Sequence, residues 1–243
     1  RFGDDWPVVL IDLKGRGRSS DRADKARYIS TIDATDVVQI MAALALESFV
    51  LVGQGYGGQV LMALAAQWPA LMAGAVLIDA GPVTDSRGLV RLRTTLNELV
   101  GVRGEKSLKP MLRRMVAADY PEAPEPVLDG LAFRTHFVDR RGRLQPLFDT
   151  ALIKLLEAFD LDDVLIAQWP LFDALAPVPL MMMRTQLTQL LRRETFEEMM
   201  RRRRDAEGFV IESQGSPALL DTLDDVQPIT DFVRRVSSER KAA

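Results

Sequence analysis

The sequence predicts an α/β protein: a mostly parallel central sheet flanked by helices, with an inserted helical segment. Three observations lead there. Short apolar runs recur at Val8–Ile11, Phe49–Val52, Ala75–Ile78, Val178–Met183 and Phe209–Ile211, each of a length suited to a buried strand. Helix-length apolar stretches separate several of them, and strand–helix alternation argues for a parallel sheet covered on both faces. Between about Asp85 and Pro170 the rhythm gives way to a charged, helical stretch.

Taken in order, Val8–Ile11 reads as a buried strand running through Asp12 into the glycine-rich loop Lys14-Gly15-Arg16-Gly17-Arg18. Ser30-Thr31-Ile32-Asp33 has the form of a capping box, a hydroxyl residue with an acid three positions on. The helix it opens carries Val37, Ile40, Met41, Leu44 and Leu46 on one stripe. Phe49–Val52 runs straight into Gly53-Gln54-Gly55-Tyr56-Gly57-Gly58 and an apolar helix over Gln59–Gln67, and Ala75–Ile78 ends at Asp79-Ala80-Gly81-Pro82.

The inserted stretch holds helical segments at Leu108–Ala118 and Ala151–Phe159, around a proline-rich break at 121–126. Strands return at Val178–Met183 and Phe209–Ile211, separated by a helix over about 193–203, and a helix over about 226–236 closes the chain. The expected organisation is a core over 1–84, a helical cap over 85–170 and the rest of the core over 171–243.

Composition narrows the function. The chain has 243 residues, 47% of them hydrophobic, enough to fill the core of one large domain. A net charge of −3 offers no electrostatic case for nucleic acid or an anionic membrane. There is no cysteine and a single histidine, His136, so disulfides, thiolate chemistry and Cys-ligated zinc are excluded and no metal site is expected. No cofactor motif stands out: the Gly53-x-Gly55-x-Gly57 spacing is a weak match to a dinucleotide loop. With no apolar run of spanning length and no signal-like segment, the expected compartment is the cytoplasm.

The strand–Gly53-Gln54-Gly55-Tyr56-Gly57–helix junction resembles the nucleophile elbow Gly-x-Ser-x-Gly of the α/β-hydrolase family. Ile11-Asp12-Leu13-Lys14-Gly15-Arg16-Gly17-Arg18-Ser19 is similar to an Asp-x-Arg-Gly-x-Gly-x-Ser loop of a bacterial, capped branch of that family. Ile78-Asp79-Ala80-Gly81-Pro82 with Gly88-Leu89-Val90-Arg91 is similar to its strand end and cap entry, and Trp169-Pro170-Leu171-Phe172-Asp173-Ala174-Leu175 to its return from the cap. The likeness covers nearly the whole chain and rests on the order and spacing of these motifs.

The resemblance implies where a serine–acid–histidine triad would stand. The nucleophile position is Gly55, the acid position falls on Gln189 in Thr188-Gln189-Leu190-Leu191, and the histidine position on Ser216 in Gly215-Ser216-Pro217-Ala218. A serine needs a base to take its proton, and the base needs an acid to fix its tautomer. Glycine cannot attack, serine is no base at neutral pH, and glutamine carries no charge. The expectation is therefore a catalytically degenerate homologue, a pseudohydrolase.

Such a homologue would keep a pocket for a small hydrophobic or ester-like ligand or a partner. The ligand-contact candidates are Tyr56, whose amide faces the former oxyanion pocket, Gln54, Asp79, His136 and Trp169. Two alternatives stand beside it: an enzyme of altered, cofactor-independent mechanism using Asp79, His136 or a bound water, and a structural subunit that pairs with a copy of itself or a related chain.

Milder readings accompany these candidates: His136 as a cap-packing residue, Asp12 and Asp79 as structural hydrogen-bonding acids, Arg201–Arg204 as a solvated helix end, and Met181–Met183 as buried strand. The resemblance also implies three strands ahead of Val8–Ile11, one of which would lie between the Val8 and Phe49 strands. This leads to the expectation of a segment upstream of Arg1, the alternatives being direct pairing of those two strands or a second chain in the gap.

Overall fold

A computed structural model describes residues 6–102 and 104–242. Four parallel strands form the central sheet in the order β1-β2-β5-β6: β1 (Phe49–Gln54), β2 (Met72–Ile78), β5 (Leu180–Thr185) and β6 (Glu207–Ile211). The intervening hairpin pairs β3 (His136–Val138) with β4 (Leu144–Pro146), antiparallel. In register, Gln54 lies opposite Ile78, Ile78 opposite Met183, and Met183 opposite Phe209. The carboxyl ends of the strands are thus level, and the loops that follow them converge on one edge, where sites gather in open α/β sheets.

Period-two alternation explains why both faces are covered. Ala75, Leu77, Leu180 and Met182 point into one apolar cluster, shared with α1 (Ser30–Ala43), α2 (Tyr56–Gln67), α7 (Trp169–Asp173) and α8 (Arg193–Arg202). Val76, Ile78, Met181 and Met183 point into the other, closed by Ile229, Phe232 and Val236 of α9 (Leu223–Ala242). Met181–Met183 is therefore buried strand, each residue no more than 1% exposed.

Residues 86–156 form α3 (Ser86–Gly101), α4 (Glu105–Val116), α5 (Glu125–Thr135), the β3–β4 hairpin and α6 (Ala151–Leu156). They enclose a separate apolar cluster of Leu99, Leu108, Leu112, Tyr120, Leu128, Leu131 and Ala132, with Leu219 contributed from beyond β6.

Three expectations are corrected. Val8–Ile11 forms no strand; Val8, Val9 and Leu10 are exposed, Leu10 at 91%. An apolar run becomes a strand only with a neighbour to bond to, and among the described residues β1 pairs on one side only, with β2. Direct pairing of residues 8–11 with β1 is thereby excluded. Secondly, Ser30 does not cap α1: Ile29 occupies the cap position without a side-chain bond, and Asp33 turns inward to Arg22 and Tyr56. Thirdly, the arginine cluster is not wholly solvated. Arg203 is buried and its guanidinium donates to the carbonyls of Leu175 (2.7 Å) and Val178 (2.9 Å).

Candidate functional site

The turn between β1 and α2 has the form expected of an elbow. Gly55 stands at φ 51°, ψ −115°, immediately before the first residue of α2. L-residues rarely adopt that backbone region, whereas glycine enters it without a Cβ penalty. A Cβ at Gly55 would meet only Leu190 Cδ1, at 3.7 Å, so space is available and backbone strain alone disfavours a side chain. At Gly53 a Cβ would fall 2.5 Å from the Gly57 carbonyl oxygen, so the tightness of the turn requires glycine there. The Gly55 amide donates to the Ile78 carbonyl (2.9 Å), tying the elbow to the end of β2. Helical geometry leaves the first amides of α2, Tyr56 foremost, without intrahelical acceptors.

Asp79 follows β2 at that point. It is 2% exposed and holds a left-handed backbone, φ 48°, uncommon for a side chain-bearing residue. Thr185 at the end of β5 donates its backbone amide to Asp79 Oδ1 (2.8 Å) and its hydroxyl to Oδ2 (2.7 Å). Burial pushes the Asp79 carboxyl above the usual carboxylate range; the Thr185 bonds, a side-chain hydrogen bond with Ser216 and the charge of Arg184 oppose that rise. Ser216 is thereby near the Asp79 carboxyl, although 137 positions separate them in the chain (216 − 79).

The helical segment closes over this edge. The Tyr120 hydroxyl donates to the Pro217 carbonyl (2.5 Å), and the Gly215 amide donates to the Asp119 carbonyl (2.6 Å). Asp119 is ion-paired with Arg91.

On the other side of the elbow, Tyr56 donates its hydroxyl to Asp33 (2.7 Å), which is fully buried and also bonded by Arg22 (2.5 Å). Burial and the neighbouring Asp33 carboxylate both raise the Tyr56 pKa, keeping the phenol protonated. The Arg16 guanidinium lies 4.6 Å from the Tyr56 ring centre and 5.4 Å from that of Tyr28. The glycine-rich loop is tied in turn to residues 147–149: Gly17 N–H donates to the Leu147 carbonyl, Asp149 N–H to the Gly15 carbonyl, and Lys25 and Tyr28 both reach the Asp149 carboxylate.

The structure therefore brings Gly55, Tyr56 and Asp79 together around the elbow, with Ser216 against Asp79. Gln54 is next to them; its Nε2 is buried with no hydrogen-bond partner among the described residues. Gln189 is exposed, and none of the contacts described at Asp79 involves it. His136 packs in the helical segment, with Nε2 at 3.2 Å from the Leu99 carbonyl, Nδ1 at 3.0 Å from the Thr135 hydroxyl, and Phe148 edge-on. Burial lowers its pKa, so the ring is held neutral. Trp169 stacks against Arg202 (3.8 Å) and lies edge-on to Phe172, a packing position. Asp12 accepts from Arg18 N–H (2.9 Å) and its carbonyl from the Ser19 hydroxyl (2.6 Å), which shapes the glycine-rich loop.

Sequence reasoning missed Thr185, Tyr120, and the Arg16–Arg22–Asp33 network. The arginines of the glycine-rich loop were the only local sign of the last. Two cavities of about 340 and 550 Å³, sharing Pro177, Pro179 and Val236, open at the amino ends of β2 and β5, away from the elbow. Among the described residues no group of three or more His, Asp or Glu side chains is placed to hold a metal, and no helix is long and apolar enough to cross a membrane.

Comparison with known proteins agrees with this architecture. The family model for the alpha/beta hydrolase fold matches residues 2–142. RutD of Rhizobium rhizogenes, by name a carbamate hydrolase, is 28% identical over 161 residues, 65% of this chain and 59% of RutD. A 2-hydroxymuconate semialdehyde hydrolase from a Pseudomonas species is 28% identical over 148 residues, 51% of this chain and 52% of that protein. The chain thus spans less than two thirds of the length of these curated relatives. Among solved structures, an alpha/beta hydrolase from Novosphingobium aromaticivorans superposes with a TM-score of 0.81 at 28% identity, covering 92% of this chain and 78% of that one. By its fold, its elbow and these matches, the chain belongs to the alpha/beta hydrolase fold family.

Proposed function

We propose that this protein is a catalytically degenerate member of its family, a pseudohydrolase. It keeps the elbow and the helical segment over it, residues 85–170, as a binding place for a small hydrophobic or ester-like ligand. One observation carries the reading: Gly55 occupies the strained elbow position, where a nucleophile would stand, and has no side chain to attack with. A helix start offers its first amides as donors for a carbonyl oxygen, which favours binding that outlives the chemistry. The carbamate and semialdehyde named for the relatives are the first compounds to offer as ligands.

The test is a short-chain ester panel on the unmodified chain and on Gly55→Ser/Gln189→Asp/Ser216→His. Turnover confined to the substituted protein supports the reading; triad-type turnover by the unmodified chain removes it.

Two other readings have an observation each. A cofactor-independent enzyme is favoured by Asp79, a buried carboxyl whose raised pKa suits proton transfer. A subunit that pairs with another chain is favoured by the side of β1 away from β2, where Val52 is 51% exposed. Sedimentation across a concentration series tests the second: a monomer at all concentrations removes pairing with itself.

A further inference from the structure

The formal charge of −3 is spread unevenly along the chain. Residues 133–143, the end of α5 and the β3–β4 turn, hold four arginines against one aspartate, a local excess of +3 that leaves −6 on the rest. Three large apolar side chains stand exposed in the same stretch: Phe133 at 55%, Phe137 at 48% and Val138 at 50%. We propose that this edge of the helical segment docks on an anionic phospholipid surface, its apolar side chains entering the headgroup region and its arginines meeting the lipid anions. Docking there does not depend on whether the elbow has lost its chemistry.

The local structure makes both features available. Phe137 and Val138 are neighbours in β3, so their side chains leave opposite faces of the hairpin. His136, one position earlier, is buried, so the strand emerges from the interior directly after it. Beyond Val138 the turn is fixed. The Asp139 carboxylate accepts the amides of Arg141 and Arg143 and the Arg143 Nε–H, each at 2.9 Å, and Gly142 takes the left-handed conformation, φ 73°, that closes the turn. Arg143 is thereby paired with Asp139, whereas Arg134, Arg140 and Arg141 are exposed and form no ion pair among the described residues. A further cation lies over Phe133: Lys109 Nζ of α4 is 4.9 Å from its ring centre, although it is shared with Asp129 at 3.6 Å.

Apolar exposure alone does not choose a partner; the charge around it does. Val164 and Ile166 are more exposed still, at 96% and 86%, but residues 157–166 carry four acids and no base, which an anionic surface repels. A protein partner fits less well, because one helix end and a hairpin of three-residue strands fall short of the roughly 20–30 residues a side of a stable interface. Arginines beside exposed aromatic and aliphatic residues match an interfacial anchor, which combines apolar insertion with attraction to anionic lipid and needs no membrane-spanning helix. Docked in this way, the helical segment over the elbow meets lipid, where hydrophobic ester-like compounds concentrate.

The experiment is flotation of the chain with vesicles of phosphatidylcholine alone and with about one third phosphatidylserine, at about 0.1 M and about 1 M salt, over which the Debye length shrinks from about 10 to about 3 Å. Binding to the phosphatidylserine vesicles at low salt should be about tenfold stronger or more than to phosphatidylcholine, and should fall at high salt. Arg140→Gln/Arg141→Gln should lower the partition coefficient about 30-fold, about fivefold for each charge removed. Phe137→Ser/Val138→Ser should lower it about tenfold or more, whereas Val164→Ser/Ile166→Ser should change it less than about twofold. Since the chain has no cysteine, Val138→Cys accepts a single polarity-sensitive fluorophore. That label should brighten and shift to the blue on phosphatidylserine vesicles, and one on Val164→Cys should not. Should a paired variant fail to fold by circular dichroism, the two labelled chains decide.

No binding at low salt, equal binding to both kinds of vesicle, or binding that survives both hairpin variants overturns the proposal. So does binding lost through Val164→Ser/Ile166→Ser instead, or a label at position 138 that stays in water while the chain floats. Self-association seen by sedimentation and abolished by Arg140→Gln/Arg141→Gln, without vesicle binding, would make this edge an interface between copies and overturn the membrane assignment.

Discussion

Gly55 combines two facts that oppose each other wherever a serine occupies an elbow: the backbone conformation is strained, and the residue there must carry the nucleophile. Here glycine relieves the first and carries no side chain to meet the second. Since a Cβ would meet only Leu190 Cδ1 at 3.7 Å, Gly55→Ala should cost stability through backbone strain alone, about 1–3 kcal/mol. Urea denaturation measures it; an unchanged or raised midpoint would show that the turn relaxes and that the glycine carries no strain relief. The identity of Gly55 and its place between strand and helix were legible in the sequence because a run of glycines after a strand is a local signal. The Asp79–Thr185 pair was not, because its members are 106 positions apart and neither stands in a motif that announces the other.

At the scale of elements, two polar residues fasten helices to the sheet. Asp85 caps α3, accepting the Arg87 amide (3.0 Å), and also binds the guanidinium groups of Arg87 and Arg192, both at 2.7 Å. Although burial raises its pKa, hydrogen bonds from the two arginines more than offset this and hold the carboxyl well below the usual range. Its stabilising contribution is therefore present above the ordinary carboxylate pKa and is lost as pH falls toward the depressed value. Asp85→Asn should destabilise the fold by about 1–2 kcal/mol at pH 7, read as a lower thermal midpoint; no loss would mean the cap and its arginines are dispensable. Arg203 closes α8 against the loop at 175–178 through two carbonyls that a lysine cannot bridge in the same plane. Arg203→Lys should cost about 1–3 kcal/mol in chemical denaturation, and a change within error would refute the buried role. Four of the five apolar runs named as strands take their place in the sheet, and these could be read from apolar period and glycine punctuation. The run at 8–11 could not, since an apolar run does not reveal whether a partner strand lies beside it. The β3–β4 hairpin escaped notice because three-residue strands are too short to show a period.

For the whole molecule, stability should carry an acid-side dependence traceable to its one histidine. Burial holds the His136 pKa below its ordinary value of 6.5, so the folded state binds the proton less readily than the unfolded chain. The contribution is complete above about pH 6.5 and is lost as pH falls below it toward the depressed folded value. Replacing the ring with a neutral side chain, His136→Gln, should flatten the fall in thermal midpoint between about pH 6.5 and 5, and an identical slope would place the titration elsewhere.

The fold class was legible at this scale. The reason is that parallel strands buried on both faces must be apolar throughout. The surroundings of the elbow were not legible, because they are assembled from the ends of β1, β2 and β5, the loop after β6 and the helical segment. The central claim is that this hydrolase-fold protein has lost the covalent step with its nucleophile. The most direct measurement is intact-mass analysis after exposure to a fluorophosphonate, on the unmodified chain and on Gly55→Ser/Gln189→Asp/Ser216→His. The account predicts no adduct on the former and one stoichiometric adduct, at position 55, on the latter. An adduct at the elbow of the unmodified chain, with accompanying ester turnover, would contradict it.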